Sequence, residues 1–454
     1  MTTLQDDPTP ASDSPLSRVS GLLRGWRTPQ HRDGLALVLS SGITSVLGLV
    51  YWILVARLYD PATVGVNSAV LSTMTLLGTA AQLNMGNALL RFVPVAGRQV
   101  RALVVGCYAV AIVVAASAGA VFALGASWWA PELYAAFGGS QLLAFFVVSA
   151  PIWTMFVIQD YVLPAIKRAT LVPLENLVFS VLKIVLLGGA AALGMSSGIA
   201  VSWVAATGVI VLVVTVYLVR TLPRRLDSEP DGEPDGEPAG GTSVSVRDIA
   251  SFVRSDYLGV VFLLAAVFGL PLIVLARLGP EAAAVYGVVW QIAYAFYLVV
   301  NGMGQSLVAH VAAEPHRLEA ASRSMITKAM TLLVPSVLGC AVLAHPVLSL
   351  FGATYADEGS LLLALLALSA IPNVITASAV WAARVRRDGR VLFGLPAAIT
   401  TAVIAGSWFL MPVLGVLGTG VAWLGAQTVA AAGVLLVRAS RVRRSGPVPP
   451  SPEG

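Results

Sequence analysis

Charge is what this chain has least of. Only 11% of its 454 residues are charged, and lysine, histidine and cysteine number three, four and two. A soluble domain of this size carries about a quarter of its residues as charges, so an ordinary soluble fold is excluded. Cys107 and Cys340 each fall inside an apolar run, which argues against a disulfide and for small apolar packing residues. Neither they nor the histidines show metal-ligand spacing. No glycine-rich loop ends in Gly-Lys-Ser or Gly-Lys-Thr, which excludes nucleotide hydrolysis by that route. The external loops are short, and none offers a clustered pair of carboxylates for acid and base work; Glu132 and Asp357-Glu358 come nearest. Nothing calls for a catalytic residue, a metal or a cofactor.

What the chain has instead is apolar length. Hydrophobic residues make up 57% of it, at a mean hydropathy of +0.83, which places it in a bilayer. Runs of roughly 20 residues, enough to cross about 30 Å of hydrocarbon, occur twelve times. They are 34–56, 65–86, 102–125, 141–163, 171–193 and 197–219, then 255–276, 283–306, 329–350, 359–380, 391–412 and 415–437. Basic residues test this count independently, because Lys and Arg collect in cytoplasmic loops. With the amino terminus inside, 25 of the 28 fall in inner segments; Arg57 and Arg277 mark outer ends and Lys183 lies within the bilayer. The expected fold is an all-α integral membrane protein with about 12 transmembrane helices and both termini cytoplasmic. The net charge of +5 reflects this topology, with no basic stripe of the kind that binds nucleic acid. A polar leader precedes a first apolar run too long for a cleavable signal. Arginine in large excess over lysine, with abundant Ala, Gly and Val, is the composition of a high-GC bacterium.

The chain also repeats itself. Ala56-Arg57-Leu58 before Pro61 returns as Ala276-Arg277-Leu278 before Pro280, and Asn84-Met85-Gly86-Asn87 returns as Gly302-Met303-Gly304-Gln305. Lys167-Arg168 matches Arg386-Arg387, and Gly198-Ile199-Ala200 with Trp203 matches Gly420-Val421-Ala422 with Trp423. Offsets of 218 to 222 describe two parallel six-helix lobes, 34–220 and 249–438, related by an axis along the membrane normal. Between them, 221–248 holds the acidic Pro-Gly run from Glu229 to Pro238, which cannot bury enough apolar surface to order and reads as a disordered cytoplasmic linker. Residues 1–33 and 439–454 read as cytoplasmic tails.

Paired halves in a membrane protein usually hold a transport site between them. Lys183 falls near the middle of the fifth span, where a cation costs about 2.5 to 3.5 kcal/mol to insert. Either it snorkels or pairs with an acid such as Asp160 or Glu175 to fix packing, or it meets an anionic head group in a water-filled cavity. Arg57 and Arg277 end the first and seventh spans before Pro-containing turns. There a guanidinium either caps the last carbonyls or holds phosphate oxygens at a cleft mouth. Gln82, Asn84 and Asn87 in the second span, and Gln291, Asn301 and Gln305 in the eighth, offer amides to sugar hydroxyls or to neighbouring helices. Arg91 and His310 close these two helices on the cytoplasmic side.

The run from Tyr51-Trp52 through Ala56-Arg57-Leu58-Tyr59-Asp60-Pro61 to Gly65, and from Leu83-Asn84-Met85-Gly86 to Leu90-Arg91-Phe92-Val93-Pro94, resembles the opening of bacterial polysaccharide-biosynthesis flippases. These form the Wzx-like branch of the multidrug, oligosaccharidyl-lipid and polysaccharide (MOP) exporter superfamily. Gly418-Thr419-Gly420-Val421-Ala422-Trp423 and the Lys167-Arg168 loop resemble it too, so the likeness covers the transmembrane region. It implies two six-helix lobes, alternating access, and a central cleft lined mainly by helices 1, 2, 7 and 8, with Arg57, Asn84, Asn87, Gln291, Asn301 and Gln305 in position to line it. The implied activity is translocation of a polyprenyl-diphosphate-linked oligosaccharide across the bacterial cytoplasmic membrane for cell-surface or exopolysaccharide synthesis. Membrane lipids and other polysaccharide-assembly membrane proteins are the implied partners. An exporter of drugs or metabolites from the same superfamily would need a deep carboxylate for ion coupling; the first span has none, and Asp256 sits at the cytoplasmic edge of the seventh. A membrane glycosyltransferase, polymerase or ligase would need a large outer loop with catalytic residues. A major-facilitator transporter would carry an acidic and glycine pattern after its second helix, which this chain lacks.

Overall fold

The computed structural model describes residues 29–226, 246–311 and 317–444. Every regular element among them is helical. The first lobe holds α1 (Pro29–Leu58), α2 (Pro61–Ala81), the short α3 (Met85–Phe92), α4 (Val100–Trp129), the short α5 (Pro131–Phe137), α6 (Gly139–Ala165), α7 (Leu171–Ala192) and α8 (Gly198–Leu226). The second holds α9 (Val246–Leu278), α10 (Pro280–Val311), α11 (Leu318–Val342), the short α12 (Ala344–Ser349), α13 (Ala353–Leu368), α14 (Ala370–Arg386), α15 (Gly389–Leu414) and α16 (Leu417–Arg444). Eleven crossings are long and apolar enough to span a bilayer, α13 and α14 together making one. The 30-residue α1 supplies the twelfth, giving the two-lobed, twelve-helix architecture expected.

Local sequence sets the helix ends. Asp60 caps α2, accepting from the Thr63 amide at 2.9 Å and the Thr63 hydroxyl at 2.6 Å, with Pro61 in the first turn. Gly279, at φ +85°, makes the equivalent turn before Pro280. The second predicted span is shorter than expected. Leu83 and Asn84 adopt left-handed φ of +51° and +59°, which ends α2 at Ala81 and starts α3, so Asn84 and Asn87 do not lie on a continuous second helix. The tenth span is also broken, at Ser369. The predicted linker is helical at both edges, because α8 runs to Leu226 and α9 begins at Val246; residues 227–245, with the acidic run, lie outside the described residues. Likewise α1 begins at Pro29 and α16 continues to Arg444, inside the predicted tails, while residues 1–28 and 445–454 lie outside the described ones.

We call the arginine-rich end of the helices inner and the end bearing Arg57 and Arg277 outer. One apolar core joins both lobes in the outer half, running from Tyr51, Val55 and Val64 to Leu275, Ala284 and Tyr286. In the inner half the core divides. Leu89, Val104, Ile158 and Leu218 pack within the first lobe, and Val300, Leu318, Met325 and Val374 within the second. The lobes meet along α2, which packs on α9 and α10. At the outer end of this seam a Cβ on Gly65 would strike the backbone of Pro280 and Ala284, and one on Gly287 would lie 3.2 Å from Ser68. Residues 65 and 284, like 68 and 287, are 219 apart, so each meets its own repeat mate. The pseudo-twofold axis passes between them.

Candidate functional site

Both α1 and α10, the helices expected to line a cleft, leave side chains uncovered toward the inner end. On α1, Tyr51, Trp52 and Val55 are buried, whereas Ile43, Val46, Leu49 and Val50 are exposed, so the helix is packed only toward its outer end. On α10 the exposed positions fall on one stripe that includes Gln291, Leu298, Gly302 and Gln305, with Asn301 half-buried beside it. Positions 291 and 305 are separated by about 21 Å along the axis. The same stripe also exposes Ala295, Leu298 and Val299. Asn84 and Asn87 lie instead at the α2–α3 break, where the Asn87 side-chain amide donates to the Asn84 side-chain Oδ1 at 2.5 Å. Arg91 is exposed on α3, its guanidinium over the Phe92 ring at 5.4 Å. The side chain of His310 lies outside the described ones.

Lys183 is buried in the first lobe at 5% exposure. Its Nζ stands 4.2 Å from the ring centre of Trp203, 4.7 Å from Phe179 and 4.8 Å from Tyr51. Phe179 precedes it by one helical turn on α7, while Tyr51 comes from α1 and Trp203 from α8. Edge-to-face contacts hold the cage: Tyr51 on Trp203 at 5.4 Å and Phe179 on Trp203 at 5.7 Å. The Tyr51 hydroxyl donates to the Ile199 carbonyl at 3.2 Å, which anchors α1 to α8. A desolvated cation over an aromatic face gains about 2 kcal/mol, so the rings offset an insertion cost of about 2.5 to 3.5 kcal/mol. Pairing with Asp160 or Glu175 is not observed. Glu175 lies two turns nearer the inner end of α7, and neither of its carboxylate oxygens has a hydrogen-bond partner among the described residues.

The two repeated arginines satisfy carbonyls of other helices rather than their own. Arg57 donates from Nε to the Leu350 carbonyl and from Nη2 to the Ser349 carbonyl, both at 2.9 Å. These are orphan acceptors at the end of α12 in the other lobe, so Arg57 ties the lobes together on the outer side. Arg277 stays within its lobe: its guanidinium lies 3.8 Å over the Trp408 ring, and Nη2 approaches the Trp408 carbonyl at 3.5 Å. Gln291, Asn301 and Gln305 thus share one side of α10, Lys183 is enclosed within the first lobe, and Arg57 and Arg277 stand at the outer end. Of the aromatic partners of Lys183, Trp203 stands out in the sequence only as part of the repeat and Tyr51 only in the family-like run, neither as a neighbour of the cation. Only the Phe179 spacing gave a local signal for them.

No protein-family profile and no curated protein matches the sequence. Solved structures match nearly the whole chain. An inward-facing multidrug resistance MATE family transporter of the MOP superfamily aligns with a TM-score of 0.65 at 16% identity, covering 89% of this chain and 96% of that one. The lipid II flippase MurJ, in an inward closed conformation, aligns at 0.63 and 11%, covering 89% and 87%. A MOP superfamily transporter from Pyrococcus furiosus, whose binding pocket of reverse polarity is described as suggesting a different function, aligns at 0.57 and 15%, covering 90% and 94%. This chain therefore has the fold of these MOP superfamily transporters.

Proposed function

We propose that this chain is a flippase that moves an oligosaccharide on a polyprenyl diphosphate carrier from the inner to the outer leaflet of a bacterial cytoplasmic membrane. The observation that carries the proposal is the α10 stripe. Gln291, Asn301 and Gln305 offer paired donors and acceptors to sugar hydroxyls along an uncovered side of α10 that runs toward the arginine-rich end. By the positive-inside rule that end is cytoplasmic, where lipid-linked sugars are built. Neither α1 nor α10 carries an acid among its described membrane-embedded side chains, the acid nearest being Glu281 at the outer start of α10. A hydroxyl-rich or anionic cargo suits such a surface better than a cationic drug. Alternating access then needs the Arg57 contact to break and the inner halves to close.

A second reading, export of drugs or metabolites, draws support from Asp160 and Glu175. These two acids lie near the inner ends of α6 and α7, Glu175 buried and Asp160 half-buried, with carboxylate oxygens that find no hydrogen-bond partner among the described residues, and a coupling ion would use such groups. The relative with a pocket of reverse polarity makes polarity, rather than fold, the property to weigh. The test is the sidedness of lipid-linked oligosaccharide in cells lacking the chain, with and without complementation. Accumulation facing the cytoplasm, reversed by the gene, is expected. Normal lipid-linked sugars with new sensitivity to cationic dyes would move the assignment to export.

A further inference from the structure

The two lobes differ in the seam between their last helices. Lys167 and Arg387 both turn the chain with left-handed φ, +60° and +55°, which puts α7 and α15 in register at an offset of 220. At that offset Leu174, Val178, Leu182 and Leu186 of α7 correspond to Gly394, Ala398, Ala402 and Gly406 of α15. One helical stripe, at steps of four, is large in the first lobe and small in the second. On the facing helix, Ala205 of α8 corresponds to Gly425 of α16 and Val213 to Gly433. The small residues leave a groove of about 860 Å³ between α14, α15 and α16, which all four stripe residues line.

The groove has a length and a charged end. From Arg390 to Leu410 it follows α15 for about 30 Å, the thickness of the hydrocarbon core. Between its ends it is walled by glycine and aliphatic side chains, which suits hydrocarbon. At the inner end stand Arg386, Arg390 and Arg438. Arg438 donates to the Ser378 hydroxyl at 3.2 Å, and Arg386 reaches Glu319 at 3.3 Å, an exposed pair. Asp388, also at this end, is turned to the amides of Arg390 and Val391 as the cap of α15. The outer end, at Gly406 and Leu410, is apolar. A glycerophospholipid matches the charge, but its acyl chains reach only to the midplane. A long isoprenoid chain with a phosphate head matches both charge and length.

We propose that this groove binds the polyprenyl tail of a phosphate-headed carrier lipid, with the phosphate at the arginines and the tail along the Gly394–Gly406 stripe. This rests on the flippase reading and adds to it a tail site outside the central opening, in the second lobe. The test uses the purified full-length chain in detergent and a photoreactive long-chain polyprenyl phosphate without sugar, with crosslinked peptides mapped. Crosslinks on α15 and α16 are expected, displaced by polyprenyl phosphate and not by phosphatidylglycerol. Installing the first lobe's side chains, Gly394→Leu with Ala398→Val, Ala402→Leu and Gly406→Leu, should weaken binding by about ten-fold or more. Ala402→Leu alone should give a partial loss, should the fourfold variant fail to fold. Arg386→Gln with Arg390→Gln should abolish the preference for polyprenyl phosphate over polyprenol. Wild-type binding by the filled variants, or equal displacement by phosphatidylglycerol, overturns the proposal. The two readings fail separately: normal lipid-linked sugars in deleted cells, with groove crosslinks intact, remove the flippase and leave the lipid site. Inverted sidedness with no groove crosslinks does the reverse.

Discussion

Replacing Arg57 with alanine should loosen the outer closure by a predictable amount. Its two hydrogen bonds at 2.9 Å are the polar tie from α1 to the end of α12. A bond from a charged donor is worth about 1.5 to 3 kcal/mol, and water competing for an exposed guanidinium cuts that by half or more. Together the pair should hold the outer side shut by about 1 to 2 kcal/mol, a roughly 5- to 30-fold bias in the ratio of outer-closed to outer-open molecules. Spin labels at Ala135 and Thr354, exposed residues near the outer ends of the two lobes, would report the separation once Cys107 and Cys340 are replaced by alanine. Arg57→Ala should add a longer-distance population. Arg277→Ala is the internal control, because that arginine contacts only Trp408 of its own lobe in the contacts described. Gly65→Ala should move the distribution the same way, since its new methyl meets the Pro280 carbonyl across the seam. A wild-type distribution for Arg57→Ala beside an open one for Gly65→Ala would refute the latch and leave packing to close the outer side.

Three further outcomes follow from the same geometry. Trp203→Ala should destabilise the protein by about 3 to 5 kcal/mol. In a Lys183→Met background it should cost about 1 to 2 kcal/mol less, because the cation no longer loses its ring; a double-mutant cycle of thermal or denaturant unfolding reads that coupling. Asp60→Ala should cost about 1 kcal/mol at neutral pH as a lost helix cap. The Thr63 hydroxyl and amide hold the Asp60 carboxyl below its usual range, so its contribution is present above the unfolded value of about 3.9 and fades as pH falls through the lower folded value. The difference in melting temperature between Asp60→Ala and wild type should shrink over that acid window. Glu175→Gln should raise stability, since a buried carboxylate with no hydrogen-bond partner gives way to a neutral amide; a fall in melting temperature would reveal a cation or proton donor held there.

How much of this was legible depended on distance along the chain. Hydropathy and arginine placement gave twelve crossings, and the paired Ala-Arg-Leu turns gave two lobes, because both are properties of short windows. The break at Leu83–Asn84 was not legible: an asparagine inside an apolar run reads as a buried amide until its backbone φ is known. Lys183 was conspicuous as a lone cation, but its partners were not, since Tyr51 lies 132 positions away and approaches only because α1 packs on α7. The role of Arg57 was hidden for the same reason, its acceptors being almost 300 positions downstream on a helix of six residues. The small-residue stripe of α15 was in plain view, yet it acquires meaning only beside the larger stripe of α7 once the register is fixed.

That register also bears on why Lys183 is there. At an offset of 220, Tyr51, Phe179, Lys183 and Trp203 correspond to Pro271, Ile399, Val403 and Trp423. Val403 is fully buried, so the same place in the other lobe is filled without a charge, and the fold does not require one. The retained tryptophans differ accordingly: the Trp423 indole donates to the Tyr297 hydroxyl at 2.5 Å, whereas the Trp203 indole N–H has no hydrogen-bond partner among the described residues and its ring faces the ammonium. Lys183→Val therefore imports a solution the protein already uses. The variant should melt at or above the wild-type temperature, because it removes an insertion cost of about 2.5 to 3.5 kcal/mol along with the cation–π gain that offsets it. If the charge serves transport, cells carrying Lys183→Val should accumulate lipid-linked oligosaccharide on the cytoplasmic face despite normal levels of the protein. Wild-type sidedness in that strain would reduce the cage to a packing variant peculiar to one lobe.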